Sequence, residues 1–169
     1  MSADNQQERL RFAGWIVGFT DGEGCFSVSI QKSPNTKLGW QIFPEFVVTQ
    51  GEKSLNSLKE LKDFFGCGNI FENKRHDNHK ENLYRYCVRS LDDLRDKIIP
   101  FFVDNPLRTA KNNDFELFRQ AMDLIQEKKH LTMDGIKEIA GLSQRMNRKK
   151  PSRILKSSET IRQDSKKLE

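Results

Sequence analysis

The sequence has 169 residues, enough for one ordinary domain with a sizeable core. With 36% hydrophobic and 31% charged residues, its apolar runs are too short to cross a membrane. The first residues are polar and include acids, which excludes a signal or transit peptide and predicts a protein that is not secreted. The net charge of +5 is compatible with nucleic-acid binding, and the three cysteines lack the CxxC spacing of a zinc site.

The first predicted helix, residues 5–21, ends in two acids, Asp21 and Glu23, each followed by a glycine. Carboxylates resist burial unless they meet a cation or a proton, so this helix is expected to bring them to a charged place. Helical spacing places one set of residues on a single face, and its glycines leave room for another backbone to approach. That face carries Leu10, Ala13, Gly14, Val17, Gly18 and Asp21.

Two predicted strand pairs follow, each succeeded by a helix. Alternating polar and apolar residues predict the strands, and apolar residues at helical spacing predict the helices. The strands are residues 25–31, 40–50, 69–74 and 83–89, and the helices are residues 52–65, 109–128, 132–146 and one that opens at Ser90. The order α-β-β-α-β-β-α predicts an α+β fold with a four-stranded antiparallel sheet, helices on one face and extra C-terminal helices.

The other face of this sheet is expected to be polar, with basic side chains in the loops beside it. Its members are Ser27, Ser29, Gln31, Lys32, Lys37, Gln41, Phe43, Glu45, Asn73, Arg75 and Arg85. Two-stranded ribbons fit the major groove, where base edges carry distinct donor and acceptor patterns. The same pattern is also typical of an ordinary solvated sheet face. The basic residues after position 146 are equally open to two interpretations, a solvated tail or a segment that contacts phosphates.

Residues 16–24, IVGFTDGEG, resemble the LAGLIDADG signature of intron-encoded homing endonucleases. The match lies at Gly18, Asp21 and Gly24, with Glu23 at the second acidic position. Residues 46–50 and 105–111 also stand at family-like places. The resemblance covers residues 9–146, which leaves a polar N-terminal extension, residues 1–8, and a basic tail, residues 147–169.

The resemblance implies a site-specific, Mg²⁺-dependent DNA endonuclease of group I intron homing, with Mn²⁺ as a substitute metal. It would hydrolyse double-stranded DNA at a long pseudo-palindromic site and leave short 3′ overhangs. An intron maturase that binds intron RNA on the same scaffold is the alternative. A single motif implies a homodimer, and Gly14, Val17, Gly18 and Asp21 would form its interface. The gene would be organelle-encoded, in a chloroplast or a mitochondrion, or bacterial.

The resemblance also assigns the site residues. Glu23 would be the essential metal ligand, and the Gly22 carbonyl would share that metal. Gln50 would position solvent, and Lys111 would stabilise charge at the scissile phosphate, with Arg108 as the alternative for this role. An ordinary exposed helix lysine is an equally good interpretation of Lys111.

Overall fold

A computed structural model describes residues 3–73 and 82–146 of the chain. Its helices and strands follow the predicted order: α1 Ala3–Glu23, β1 Gly24–Lys32, β2 Trp40–Gly51, α2 Leu55–Phe65, β3 Asn69–Asn73, β4 Leu83–Val88, α3 Leu91–Asp93, α4 Ile99–Asp104, α5 Lys111–Gln126 and α6 Met133–Arg145. Short 3₁₀ turns precede α2 and α6, and one π-helical stretch, Leu94–Ile98, joins α3 to α4. The predicted α+β class is confirmed. Arg75 and the basic tail lie outside the described residues.

The four strands form one antiparallel sheet in the order β1-β2-β4-β3. Phe46 pairs with Val88 and Gly51 with Leu83, which fixes the register of β2 against β4. Pro44 precedes this paired segment, so its missing N–H removes no hydrogen bond from the β2–β4 ladder.

The chain divides into two compact units, and both β1 and β2 pass from one unit into the other. Unit one comprises the chain up to Phe26 together with Glu45–Asn112, and unit two comprises Ser27–Pro44 and the chain from Asn113 on. Among the described residues, no helix is both long and apolar enough to cross a membrane.

Unit one is built around a cluster of aromatic side chains. Phe26 stacks on Phe46 with ring centroids 4.9 Å apart, and Phe102 meets Phe26 edge-on at 5.3 Å. All three side chains are at most 1% exposed. Each such burial stabilises the fold by about 1.5–3 kcal/mol, and each ring pair adds about 0.5–1.5 kcal/mol. Since Phe26 follows the end of α1 by three residues, this packing also fixes where α1 stops.

Unit two holds the outer parts of β1 and β2 against α6. Ile136 and Ala140 of α6 are buried, and partly buried side chains of the two strands and their loop pack on them: Ile30, Leu38, Trp40 and Ile42. The Ser143 hydroxyl donates a hydrogen bond to the Val28 carbonyl. The hairpin is thus anchored by both apolar contact and a hydrogen bond.

Ser90 begins α3 and Gly66 ends α2, at the positions that the sequence predicts. The Asp93 amide donates to the Ser90 hydroxyl at 3.3 Å, so Ser90 caps α3. Gly66 ends α2 with φ 58°, in the left-handed region that glycine adopts most readily, and its amide donates to the Lys62 carbonyl.

Helix α1 differs from the prediction in two respects. It begins at Ala3 and ends at Glu23, so it includes residues that the sequence assigned to an N-terminal extension. Its buried side chains are Ala13, Ile16 and Thr20, whereas Leu10 is 65% exposed. The predicted face of α1 is therefore buried only in part, because helical spacing identifies a face but not what covers it.

Candidate active site and nucleic-acid interface

Asp21 joins the end of α1 to the segment that starts α5. Its Oδ2 accepts from the Arg108 amide at 2.8 Å, and its Oδ1 accepts from the Thr109 hydroxyl at 2.8 Å and the Thr109 amide at 3.2 Å. Partial burial works to raise the pKa of Asp21, but these hydrogen bonds and the nearby Lys111 charge outweigh it and lower the pKa overall. Asp21 is therefore an ionised acceptor that holds the segment immediately before α5.

Lys111 opens α5 and reaches back to the end of α1. Its amide donates to the Thr109 hydroxyl at 3.2 Å, and its ammonium donates to the carbonyls of Gly24 and, at 3.5 Å, Gly22. The C-terminal carbonyls of a helix carry partial negative charge, so they attract an ammonium. Arg108, the alternative basic residue, instead uses its backbone amide on Asp21. The Lys111 side-chain charge therefore lies at the Gly22–Gly24 end of the motif, while Arg108 lines the depression beside Gly18 and Asp21.

Glu23 is the last residue of α1 and is exposed. Within the described part of the chain, its carboxylate has no hydrogen-bond or ion-pair partner. Gly24 behind it is buried, and a Cβ there would lie 2.8 Å from the Thr20 carbonyl oxygen. The missing side chain of Gly24 thus lets the chain turn tightly from α1 into β1, which leaves Glu23 pointing outward at the turn.

Gln50 lies at the same end of the sheet as this turn. β1 and β2 are neighbours joined by a short loop, so the end of β2 runs beside the start of β1. Gln50 is half-buried and pairs with Tyr84 on the β4 side. The sequence-predicted residues Glu23, Gln50 and Lys111 therefore all belong to unit one and to the region where α1 meets the sheet.

The oxygen donors of this region suit a hard divalent cation. Mg²⁺ prefers carboxylate, carbonyl and phosphate oxygens and keeps several waters. Glu23 supplies a carboxylate, and the Gly22 carbonyl already accepts a contact from a cation, the Lys111 ammonium. No group of three or more His, Cys, Asp or Glu side chains that could hold a metal occurs among the described residues. One copy of the chain thus offers part of a coordination shell.

In unit two, the outward face of the hairpin carries most of the predicted polar side chains. Gln31, Lys32, Lys37 and Gln41 are exposed, Ser29 is half-buried, and Phe43 is 39% exposed. The Lys32 ammonium lies 5.8 Å from the centre of the Trp40 ring. Ser27 belongs to the same face but is only 7% exposed, and its predicted contact with DNA stays a prediction. Alternation predicts which face a residue takes but not how much of that face is covered.

In unit one, the same face carries a cluster of charges that the sequence shows only in part. Glu45 accepts from Arg89 Nε at 2.9 Å and lies 3.6 Å from Arg85. Asn73 is exposed at the end of β3. Arg89 was not among the predicted residues. The alternation of Arg85, Cys87 and Arg89 along a strand predicted to run from 83 to 89 is the signal that identifies it.

The exposed face of α1 contains the glycines predicted to lie at an interface. Gly14 and Gly18 are exposed, and a Cβ built on either one would meet nothing within 4 Å. A depression of about 380 Å³ lies beside this face, and its lining includes Val17, Asp21 and Pro106. Its role in dimerisation stays a prediction.

Comparison with known proteins agrees with the class that the fold defines, an α+β protein with a four-stranded antiparallel sheet and an acidic helix end. The model of the LAGLIDADG endonuclease family matches residues 16–122. The chain therefore belongs to the LAGLIDADG endonuclease family.

Individual relatives differ in how much of their length this chain matches. It is 34% identical over 140 residues to a probable intron-encoded endonuclease of Neurospora crassa, covering 82% of this chain and 25% of the relative. The homing endonuclease I-ApeII of Aeropyrum pernix is 33% identical over 107 residues, covering 63% of this chain and 60% of the relative. The chain thus spans about a quarter of the Neurospora relative and well over half of I-ApeII.

Two solved structures have the same fold. The crystal structure of the homing endonuclease I-TnaI has a TM-score of 0.76 and 36% identity, covering 88% of this chain and 97% of that one. I-SmaMI bound to cleaved DNA has a TM-score of 0.78 and 32% identity, covering 86% of this chain and 47% of that one. This chain is thus similar to nearly all of the first and to about half of the second.

Proposed function

We propose that this chain is a site-specific endonuclease for double-stranded DNA. The observation that carries the proposal is that Glu23, an exposed carboxylate, lies between Gly22 and Gly24, whose carbonyls the Lys111 ammonium contacts at the end of α1. Family membership and relatives named as endonucleases support it. An exposed acid beside a cation is what metal-assisted phosphodiester hydrolysis needs, whereas a pure binding protein has no use for it.

In this proposal, Glu23 and the Gly22 carbonyl hold Mg²⁺, with Mn²⁺ as a substitute. When bound, the metal supplies Lewis-acid stabilisation of phosphate charge and a more acidic water. Lys111 stabilises the charge that develops at the scissile phosphate, and Gln50 orients water. The Lys111 ammonium contacts the Gly22 carbonyl, so its charge lies beside one of the oxygens that would hold the metal.

The proposed active unit is a homodimer that binds a long pseudo-palindromic site, cuts both strands and leaves short 3′ overhangs. Two copies would meet through Gly14, Val17, Gly18 and Asp21 and bring both Glu23 side chains together. The exposed glycine face of α1 supports this arrangement. So does the coverage of I-SmaMI, whose DNA-bound chain is about twice the length that this chain matches.

We also infer an organelle-encoded gene within a group I intron. Relatives named for an ND4 intron and for cox1 introns support this origin. The alternative of an intron maturase that binds intron RNA has no further support and stays a prediction.

The test compares wild type with Glu23→Gln, after wild type has selected its site from a randomised duplex library with Mg²⁺. We expect the variant to lose cleavage of that site by about 100-fold or more, because substitution at a direct metal ligand should cost at least as much as at an outer-shell partner. Its affinity for the site in EDTA should stay within a few-fold of wild type, since only a metal ligand is lost.

The control is Glu8→Gln, which removes the same charge from an exposed position on the same helix. It should cleave like wild type. Normal cleavage by Glu23→Gln would contradict the catalytic assignment. A wild-type protein that binds the library but never cuts it would contradict the enzyme while leaving a DNA-binding function.

A further inference from the structure

Glu45 of β2 contacts two arginines on the outward face of the sheet within unit one. Its Oε2 accepts from Arg89 Nε at 2.9 Å, and its Oε1 lies 3.6 Å from a terminal nitrogen of Arg85. The Glu45 side chain is 20% exposed, whereas those of Arg85 and Arg89 are 37% and 56% exposed. The acid thus lies deeper than the two guanidinium groups that it contacts.

An aromatic ring and buried apolar residues lie beside the two arginines on the same face of the sheet. The Arg89 guanidinium carbon lies 5.7 Å from the centre of the Phe71 ring, and Phe71 is 47% exposed. Val47 and Cys87 alternate onto this same face and pair with each other, yet they are only 5% and 3% exposed. Long side chains therefore cover the centre of the face, and the arginine stems are placed to do so.

The arginines keep most of their hydrogen-bonding capacity. Each guanidinium has five N–H donors in a planar fork. Glu45 accepts one hydrogen bond from Arg89 and makes a longer ion pair with Arg85. Guanine offers two acceptors in the major groove that match this fork, and a bidentate arginine is the commonest specific contact to it.

A carboxylate on a DNA-binding face repels phosphates when it stands alone. Beside two arginines, the cluster of Glu45, Arg85 and Arg89 carries a net positive charge instead. Fixing the orientation of a flexible side chain before binding reduces what must be ordered on binding. The Glu45 carboxylate thus lowers the total positive charge of the face but fixes the orientation of the two arginine side chains.

We propose that Glu45 is a positioning residue that holds Arg85 and Arg89 as a pair of guanine-reading side chains. This proposal rests on the proposed DNA-binding function and differs from the sequence prediction, in which Glu45 itself contacts DNA. Phe71 contributes by stacking on the Arg89 guanidinium. The specificity of this part of the sheet thus depends on a residue that touches no base.

The experiment compares wild type and Glu45→Gln in binding to a duplex library with a randomised core, in EDTA so that binding is read without cleavage. Wild type should enrich guanine at two positions of each half-site. Glu45→Gln should lose about 5- to 100-fold of that preference, since one bidentate contact discriminates by about this much. Its affinity for random duplex should rise, with a salt dependence steeper by about one phosphate contact, because a negative charge is gone.

Two further variants separate charge from orientation. Glu72→Gln removes the same charge from β3, where the Glu72 carboxylate accepts from Asn82 and, unlike Glu45, takes no part in the ion pairs of Arg85 and Arg89. It should leave the guanine preference unchanged. Arg89→Lys keeps the charge but loses the planar fork, so it should lose preference at one position while its affinity for random duplex stays the same.

A merely structural role for Glu45 would not lower the guanine preference of Glu45→Gln while raising its affinity for random duplex. An unchanged guanine preference in Glu45→Gln would overturn the inference, as would a parallel fall of preference, affinity and melting temperature. A wild type that binds no duplex would overturn the proposed function and this inference together. Specific binding without cleavage in Mg²⁺ would overturn only the enzyme, and the Glu45 result would then decide the inference by itself.

Discussion

Gly22 and Gly24 each follow an acid in the sequence, yet their surroundings differ. A Cβ at Gly24 would lie 2.6 Å from the Thr20 methyl carbon and 2.8 Å from the Thr20 carbonyl oxygen. A Cβ at Gly22 would meet nothing within 4 Å. Only Gly24 is therefore required by the close approach of backbone to backbone, and it sets the turn that exposes Glu23.

We predict that Gly24→Ala destabilises the protein by about 1–3 kcal/mol, because the added methyl forces a backbone shift in a packed region. The matched variant Gly22→Ala should be neutral or slightly stabilising, since alanine favours a helix. Urea unfolding followed by circular dichroism measures both free energies of unfolding. Equal stabilities of the two variants would show that the turn is less tightly packed than the structure indicates.

Among single residues, the two acids of the motif stand out in the sequence because carboxylates at the end of an apolar helix suit a charged site. Lys111 was assigned by the family resemblance, and the structure places its ammonium beside the Gly22 and Gly24 carbonyls. Arg89 continues the alternation of β4, but its contact with Glu45, 44 residues away in the chain, is not visible in a local pattern. The burial of Ser27 has no counterpart in a local pattern.

At the scale of the elements, the start of α5 is held by the end of α1. Asp21 and the amides of Arg108 and Thr109 are separated by 87 and 88 residues, so no local pattern could reveal their contact. The Thr109 hydroxyl both donates to Asp21 and accepts from the Lys111 amide. Asp21 therefore positions Lys111 through a chain of two hydrogen bonds.

Asp21→Asn should destabilise the protein by about 1–2 kcal/mol at pH 7, because an amide NH₂ would replace one of the two accepting oxygens. The pKa of Asp21 is lowered in the folded protein, so its contribution is present above the unfolded pKa and is lost as pH falls. The stability difference between wild type and variant should therefore shrink below about pH 4.

Thermal unfolding of wild type and Asp21→Asn between pH 3 and pH 7 measures this difference in stability. The range includes the ordinary pKa of an aspartate, about 3.9. Asp104→Asn is the control, since Asp104 is an exposed acid at the end of α4. A difference that persists undiminished at low pH would mean that the lost contacts do not depend on the Asp21 charge.

For the elements themselves, the order, the types and most boundaries could be predicted from periodicity and caps. Ser90 begins a helix and Gly66 ends one, and in both cases the reason is visible within a few residues of the sequence. The sequence predicts α1 too short at both ends, because polar residues at its start and glycines at its end weaken the helical signal, whereas the tight turn at Gly24 sets its actual C-terminal end.

At the scale of the whole molecule, α1 has two faces with different partners. Ala13, Ile16 and Thr20 are buried within the chain, whereas Gly14 and Gly18 lie open. Two glycines within a helix cost about 0.5–1 kcal/mol each relative to alanine, so an open glycine face is unfavourable for a chain that stays alone. In the proposed dimer, these glycines let two copies of α1 pack closely, and that contact would offset the cost.

Gly18→Leu should therefore prevent dimerisation by separating the two helices, and sedimentation velocity should detect monomers. Gly141→Leu provides the matched control, because Gly141 is also a helical glycine whose Cβ would meet nothing within 4 Å. It should sediment like wild type. A Gly18→Leu protein that sediments as a wild-type dimer would contradict the proposed interface.

The division of the chain into two units has a consequence for how new targets arise. Glu23, Gln50 and Lys111 all belong to unit one, while Gln31, Lys32 and Gln41 belong to unit two. In the proposed endonuclease, selection can therefore exchange side chains at the tip of the hairpin without altering any residue that the proposed chemistry uses. The part of the target read by unit two would then change by substitution there, while the residues proposed for cleavage, and the proposed readers Arg85 and Arg89 of unit one, are inherited unchanged.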